Sequence, residues 1–145
     1  MRKLPVEQIA RDYYDLFNAR RFDEAELLVS VQAAFHYPHT RETLIGRAGY
    51  RELARLWTLA FPDCEVSIVE MAVADHLVTV SLIGRGTHTG PLMFGDPLVL
   101  EPTGWHAELP IVDTVEIQQG QIVESWVRFN MRDLLRRLQG PDREH

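Results

Sequence analysis

The chain has 145 residues, of which 46% are hydrophobic and 25% charged, and a formal net charge of −6. That length supports a single domain, residues 1–145, with a core of its own, and the acidic balance argues against nucleic acid or an anionic membrane as partner. The lone Cys64 excludes an internal disulfide and fits a reducing, cytoplasmic setting, and neither a signal peptide nor a membrane span is expected.

In chain order, Val6, Ile9, Ala10, Tyr13 and Phe17 recur at helical spacing and predict a helix over 6–18. Arg20 and Arg21 interrupt it, and Phe22, Ala25, Leu28 and Val29 predict a second, shorter helix. Residues 33–37 read as a short strand closed by Pro38. Over 46–61, Tyr50, Leu53, Ala54, Trp57, Ala60 and Phe61 share one helix face, and Pro62 follows its end. Segments 65–71, 77–88, 105–117 and 122–130 read as strands, with a hairpin turn at Gln119-Gly120. Met131, Leu134, Leu135 and Leu138 predict a closing helix, and the polar tail 140–145 is expected to fray. No repeat or linker interrupts this order. Helices followed by an antiparallel meander make an α+β plan, a curved sheet with helices on one face.

The segment 105–117 carries the strongest functional signal. Read with period two, its odd positions are Trp105, Ala107, Leu109, Ile111, Asp113, Val115 and Ile117, so Asp113 falls on the apolar face of an amphipathic strand. A carboxylate there must stay neutral, find a partner or face a cavity, because an isolated buried charge is costly. Such a group is a candidate functional residue. Pro110 is the competing signal: a bulge between it and Asp113 would turn the carboxylate outward.

A curved sheet capped by helices encloses a space, and Tyr50, Trp57 and Phe61 would face its inner strands. The polar candidates for that space are Asp113, His36, Tyr37, His88, His106, Tyr14 and Arg128. Parity lets only one of His36 and Tyr37 point inward, and it places His106 outside. Arg128 is a possible partner for Asp113. The six histidines show no metal-ligand spacing, the pair His36 and His39 straddling a proline, so no metal is expected. Ser30, Ser67, Ser81 and Ser125 lie in no nucleophile elbow. The run from Gly84 to Gly90 lacks phosphate-loop spacing.

Four segments then carry a resemblance. They are Leu44-Ile-Gly-Arg-Ala-Gly-Tyr50, Ala60-Phe-Pro-Asp-Cys-Glu-Val66, Gly84-Arg-Gly-Thr-His-Thr-Gly90 and the run from Val112 to Trp126, the last followed by Leu134-Leu-Arg-Arg-Leu138. In this order and spacing the chain resembles the SnoaL-like polyketide cyclases of the nuclear-transport-factor-2-like superfamily. The resemblance implies a cone-shaped, cystatin-like α+β fold: a curved antiparallel sheet packed against N-terminal helices around an apolar pocket, often as a dimer. It also implies acid–base catalysis of an intramolecular aldol condensation. The cyclases' acid–base Asp, however, aligns with Val127. Asp113 matches a cyclase histidine and the protonated oxyanion-hole Asp of the ketosteroid isomerases, whose general base matches Tyr37. Scytalone-dehydratase-like relatives place a Tyr near Tyr37, a His near His88 and an Asp near Asn18. No known catalytic set transfers whole. The stretch 93–101 is longer than in typical members and reads as a pocket lid or a dimer-contact loop.

The reading that follows is a pocket protein acting on a small apolar carbonyl or polycyclic ligand by cofactor-free acid–base chemistry, as a cyclase, isomerase or dehydratase. Asp113, protonated, would donate to a developing enolate oxygen, and His88 would be the proton-transfer partner. Tyr14, Tyr37, Trp57, Phe61, Val127 and Phe129 would line the ligand site. The alternatives are a non-catalytic small-molecule-binding protein, which Val127 favours, and a dimeric interaction module. A homodimer is expected because the last strand is apolar on both sides, with Ile122 and Trp126 on one and Val123, Val127 and Phe129 on the other.

Overall fold

The computed structural model describes residues 5–38, 40, 42–94 and 99–140. Helix α1 (Val6–Asn18) leads to the single-turn α2 (Phe22–Glu26), and strand β1 (Val29–His36) is followed by a two-residue β2 (Leu44–Ile45). Helix α3 (Gly46–Ala60) precedes strands β3 (Glu65–Ala74), β4 (Leu77–Thr87), β5 (His106–Gln118) and β6 (Gln121–Arg128), and α4 (Met131–Arg137) closes the chain. The predicted second helix is shorter than its apolar spacing suggested, because Val29 opens β1 rather than ending α2. The predicted last strand stops at Arg128, where Asn130 caps α4 by accepting a hydrogen bond from the Asp133 N–H. His39, residues 95–98 of the long loop and residues 141–145 of the polar tail lie outside the described residues.

The strands form one sheet in the order β2-β1-β6-β5-β4-β3. From β3 to β6 it is the expected antiparallel meander, but β1 joins β6 in parallel, so the sheet is mixed. Register shifts in β3, between β5 and β6, and along β1 bend the strands. Helices α3 and α1 pack across the resulting hollow, on β1 and β3 respectively. Asn18, at the end of α1, fastens to β3 by donating to the Val66 carbonyl at 2.8 Å and accepting from the Val66 N–H at 2.9 Å. Gly46 begins α3 at φ 71°, where a Cβ would lie 2.7 Å from the Val31 carbonyl oxygen.

Pro110 does not cause a bulge. It pairs opposite Ile83 on β4, while on its other side β6 has already ended, the last β5–β6 pair being Val112 with Arg128. A residue without an N–H is tolerated at such an edge. The alternation therefore runs unbroken: Ala107, Leu109, Ile111, Asp113, Val115 and Ile117 are all buried. Trp105 precedes the strand and is exposed.

The last strand departs from simple alternation. The shift opposite Glu116 and Ile117 lets Ile122 face the core together with Ser125 and Val127. Ile122 and Trp126 thus do not share a face, contrary to their spacing. Trp126 instead stacks on His36, which binds Glu124 at 2.7 Å.

Candidate functional site

The hollow between α1, α3 and the strands holds a cavity of about 110 Å³. Its lining is mostly apolar: Leu53, Ala54, Trp57 and Phe61 from α3 and its end, and Leu82, Leu109, Ile111 and Val127 from the strands. Phe17, Cys64, Glu65, Val66 and Arg85 also line it and are half-buried or exposed. They meet at one rim of the cavity, where the end of α1 approaches the start of β3 and the end of β4, and Tyr37 and Trp57 are half-buried lining residues as well. At this rim the Arg85 guanidinium is already engaged, donating to Ser67 Oγ at 2.7 Å and to Glu108 at 3.2 Å.

Asp113 lies inside, 4% exposed. The Tyr14 hydroxyl is 2.6 Å from its Oδ2, and the Ser125 hydroxyl is 2.7 Å from its Oδ1. Burial pushes its pKa up to about 6, against the lowering influence of the two hydroxyl hydrogen bonds and, more weakly, of Arg128. Arg128 is not its ion-pair partner. It is exposed, and its guanidinium lies 3.4 Å from Thr114 Oγ1. The Tyr14 phenol is held well above its ordinary range by burial and by the neighbouring Asp113 charge. It is therefore a donor, not a phenolate.

Five predicted ligand-site residues, Tyr14, Tyr37, Trp57, Phe61 and Val127, line this cavity together with Asp113. Tyr37 is the inward member of the pair with His36, which faces Glu124. His106 is exposed, as parity required. Phe129 is a correction: it does not line the cavity but lies behind its wall, 5.5 Å from the Trp57 ring and 6.4 Å from Tyr37. The chain leaves the strand at Arg128, so strand parity no longer governs it.

His88 is a second correction. It is fully buried, yet it is absent from the cavity lining. Its backbone N–H donates to Trp105 and its carbonyl accepts from Gly104. Its Nδ1 accepts from the Thr103 N–H at 3.2 Å and lies 3.0 Å from Thr103 Oγ1. That bond fixes the proton on Nε2, which is buried without a partner among the described residues. The ring packs 5.4 Å from Phe61, and burial lowers its pKa. His88 therefore pins the ends of the 89–104 loop and presents nothing to the cavity. Asn18, where the dehydratase likeness placed an acid, is occupied with the Val66 backbone.

Sequence reasoning missed Ser125 and Tyr13. Ser125 shares the inward parity of Val127, which is the signal that identifies it. Tyr13 sits beside Tyr14 on α1 and also lines the cavity.

A helix-capped curved sheet around an apolar cavity with one buried, hydroxyl-held carboxylate defines the class: small α+β pocket proteins of the nuclear-transport-factor-2-like fold. The sequence profile of the SnoaL-like polyketide cyclases matches residues 7–138, and the chain belongs to that family. Among solved structures it is similar to a candidate SnoaL-like polyketide cyclase from Jannaschia sp. CCS1, with a TM-score of 0.81 at 15% identity over 98% of this chain and 99% of that one. IdmH, a candidate polyketide cyclase from Streptomyces antibioticus, superposes with a TM-score of 0.79 at 22% identity over 94% of this chain and 100% of its own. AclR, a candidate hydroxylase from Streptomyces galilaeus, gives 0.76 at 21% identity over 96% and 84% of the two chains. These likenesses establish the fold. No curated protein matched the sequence. Among the described residues no helix is long and apolar enough to cross a membrane, and no cluster of three or more His, Cys, Asp or Glu could hold a metal ion.

Proposed function

We propose that the cavity takes a small apolar carbonyl compound and that Asp113 exchanges a proton with it, the acid–base step of a cyclase, isomerase or dehydratase. The observation that carries this reading is a carboxylate buried in an apolar cavity and held by two hydroxyls at 2.6 and 2.7 Å. Burial alone would keep the group protonated; two donors alone would keep it charged. Their balance puts the pKa at about 6, so at pH 7 roughly one molecule in ten is protonated. A group poised this way suits proton transfer near neutrality. With His88 turned away, Asp113 is both base and acid, taking a proton from carbon beside a carbonyl and returning it after rearrangement.

Val127 favours a second reading, a binding protein without turnover, because it puts a methyl-bearing wall where the resemblance to the cyclases implies their acid. Exchange of the protons alpha to the carbonyl of α-tetralone in heavy water, followed by NMR, separates the two. Exchange that Asp113→Asn lowers by 10²-fold or more supports the first reading. Saturable binding with no exchange supports the second.

A further inference from the structure

The cavity holds few polar hydrogens, and several already have an acceptor. The Tyr14 and Ser125 hydroxyls both reach Asp113. The Tyr50 hydroxyl is fully buried, has no partner among the described residues and feels the charges of Arg51, Glu26 and Arg20. The Trp57 Nε1–H donates to the Tyr37 hydroxyl oxygen at 3.1 Å. Apart from Tyr50, two cavity hydroxyls lack a protein acceptor among the described residues, those of Tyr13 and Tyr37.

These two differ in one respect. Among the described residues no group anchors the Tyr13 hydroxyl, whereas Trp57 fixes the Tyr37 oxygen from one side. The fixing is rigid, because the Trp57 ring is wedged against Phe94 at 4.8 Å and Phe129 at 5.5 Å, while Phe94 stacks on Tyr37 at 6.1 Å. With a lone pair occupied by an indole N–H and its ring clamped, the Tyr37 hydroxyl has a proton to give into the cavity. Tyr13, Tyr14, Tyr37 and Asp113 all line the same cavity, so these groups converge on one space. A donor preorganised in an apolar, water-poor site stabilises negative charge far more than it would in water.

We infer that Tyr37 is the oxygen-side catalytic donor of this site, and Trp57 its positioning residue. The inference rests on the reading of Asp113 as the proton-exchanging group. In the step it describes, the C–H bond alpha to the ligand carbonyl breaks and its proton goes to the Asp113 carboxylate. The electron pair moves through carbon to the carbonyl oxygen, and the enolate oxygen accepts a hydrogen bond from the Tyr37 hydroxyl. Tyr37 keeps its proton throughout, and reversal of the step returns the proton from Asp113 to carbon. Asp113 thus has no need to serve the oxygen, and the division of labour places base and oxyanion donor on different residues, one on β5 and one just past β1.

The test uses the full-length protein and α-tetralone exchange in heavy water. Tyr37→Phe should lower the turnover number about 10²-fold with little change in the half-saturating concentration. A ring-fluorinated tyrosine at position 37, a stronger hydrogen-bond donor of nearly the same shape, should raise it above wild type, which a merely structural role would not do. Trp57→Phe should lower turnover less than Tyr37→Phe. Wild-type turnover retained in Tyr37→Phe, or a loss confined to Tyr13→Phe, overturns the assignment while leaving Asp113 exchange intact. Absence of exchange in the wild type overturns the acid–base reading itself, and this assignment with it.

Discussion

The Tyr14 hydroxyl meets Asp113 Oδ2 at 2.6 Å across 99 positions of sequence, joining the first helix to the middle of the sheet. Of the groups that hold Asp113 below what burial alone would give, Tyr14 is the strongest, ahead of Ser125. Tyr14→Phe removes that donor and keeps the ring. The Asp113 pKa should therefore rise above about 6, and the fold should lose about 1 kcal/mol. Carbonyl-carbon NMR of Asp113 across a pH titration checks the first outcome, and urea denaturation the second.

Asp113 itself should cost stability at neutral pH. Its folded pKa, about 6, lies above its ordinary 3.8, so between these values the folded protein binds more protons than the unfolded chain. The favourable contribution of the neutral carboxyl is complete below 3.8 and is lost as pH rises towards 6. Asp113→Asn keeps hydrogen-bonding atoms on both sides without the charge. Its advantage over wild type should grow from pH 4 to 6 and level off at up to ~3 kcal/mol. Denaturant midpoints at a series of pH values would show this.

His88 should behave in the opposite sense and in a different place. Its folded pKa is lowered by burial, so the unfolded chain takes up a proton first as pH falls. Its contribution to stability is present above the unfolded value of about 6.5 and is lost as pH drops below it. Nitrogen NMR should find Nδ1 unprotonated at neutral pH, since it accepts the Thr103 N–H. His88→Ala should increase hydrogen exchange at Thr103, whose N–H loses its Nδ1 acceptor.

Strands β2, β1 and β6 are neighbours, and they carry exposed Ile45 and Val31 and the half-buried Trp126. Apolar groups on adjacent strands of one sheet end favour a homodimer. Light scattering at micromolar concentration should give twice the chain mass of 16.7 kDa; the monomer mass would exclude it.

The elements that were legible in the sequence are those with unbroken periodicity. Helix 6–18 and the inward face of β5 follow directly from spacing, and Asp113 is found because no bulge intervenes over the 13 residues of its strand. Parity fails where the register shifts, so spacing alone puts Ile122 on the face of Trp126. It also fails beyond strand ends, which misplaced Phe129. His88 illustrates another limit: its place at a strand end was legible, but its partner Thr103 comes back through a loop whose path no local pattern encodes. The parallel pairing of β1 with β6 is likewise a long-range fact, joining residues about 90 positions apart, such as His36 and Trp126. Ser125 was within reach, since it shares the inward parity of Val127.

The most direct test of the central claim, that Asp113 exchanges a proton with a carbonyl ligand, is the pH dependence of α-tetralone proton exchange. The rate should climb with the fraction of Asp113 carboxylate, pass its midpoint near pH 6 and then level off, and Asp113→Asn should abolish both the rate and the inflection. A profile with no inflection where Asp113 is seen to titrate, or wild-type exchange in Asp113→Asn, would contradict the account.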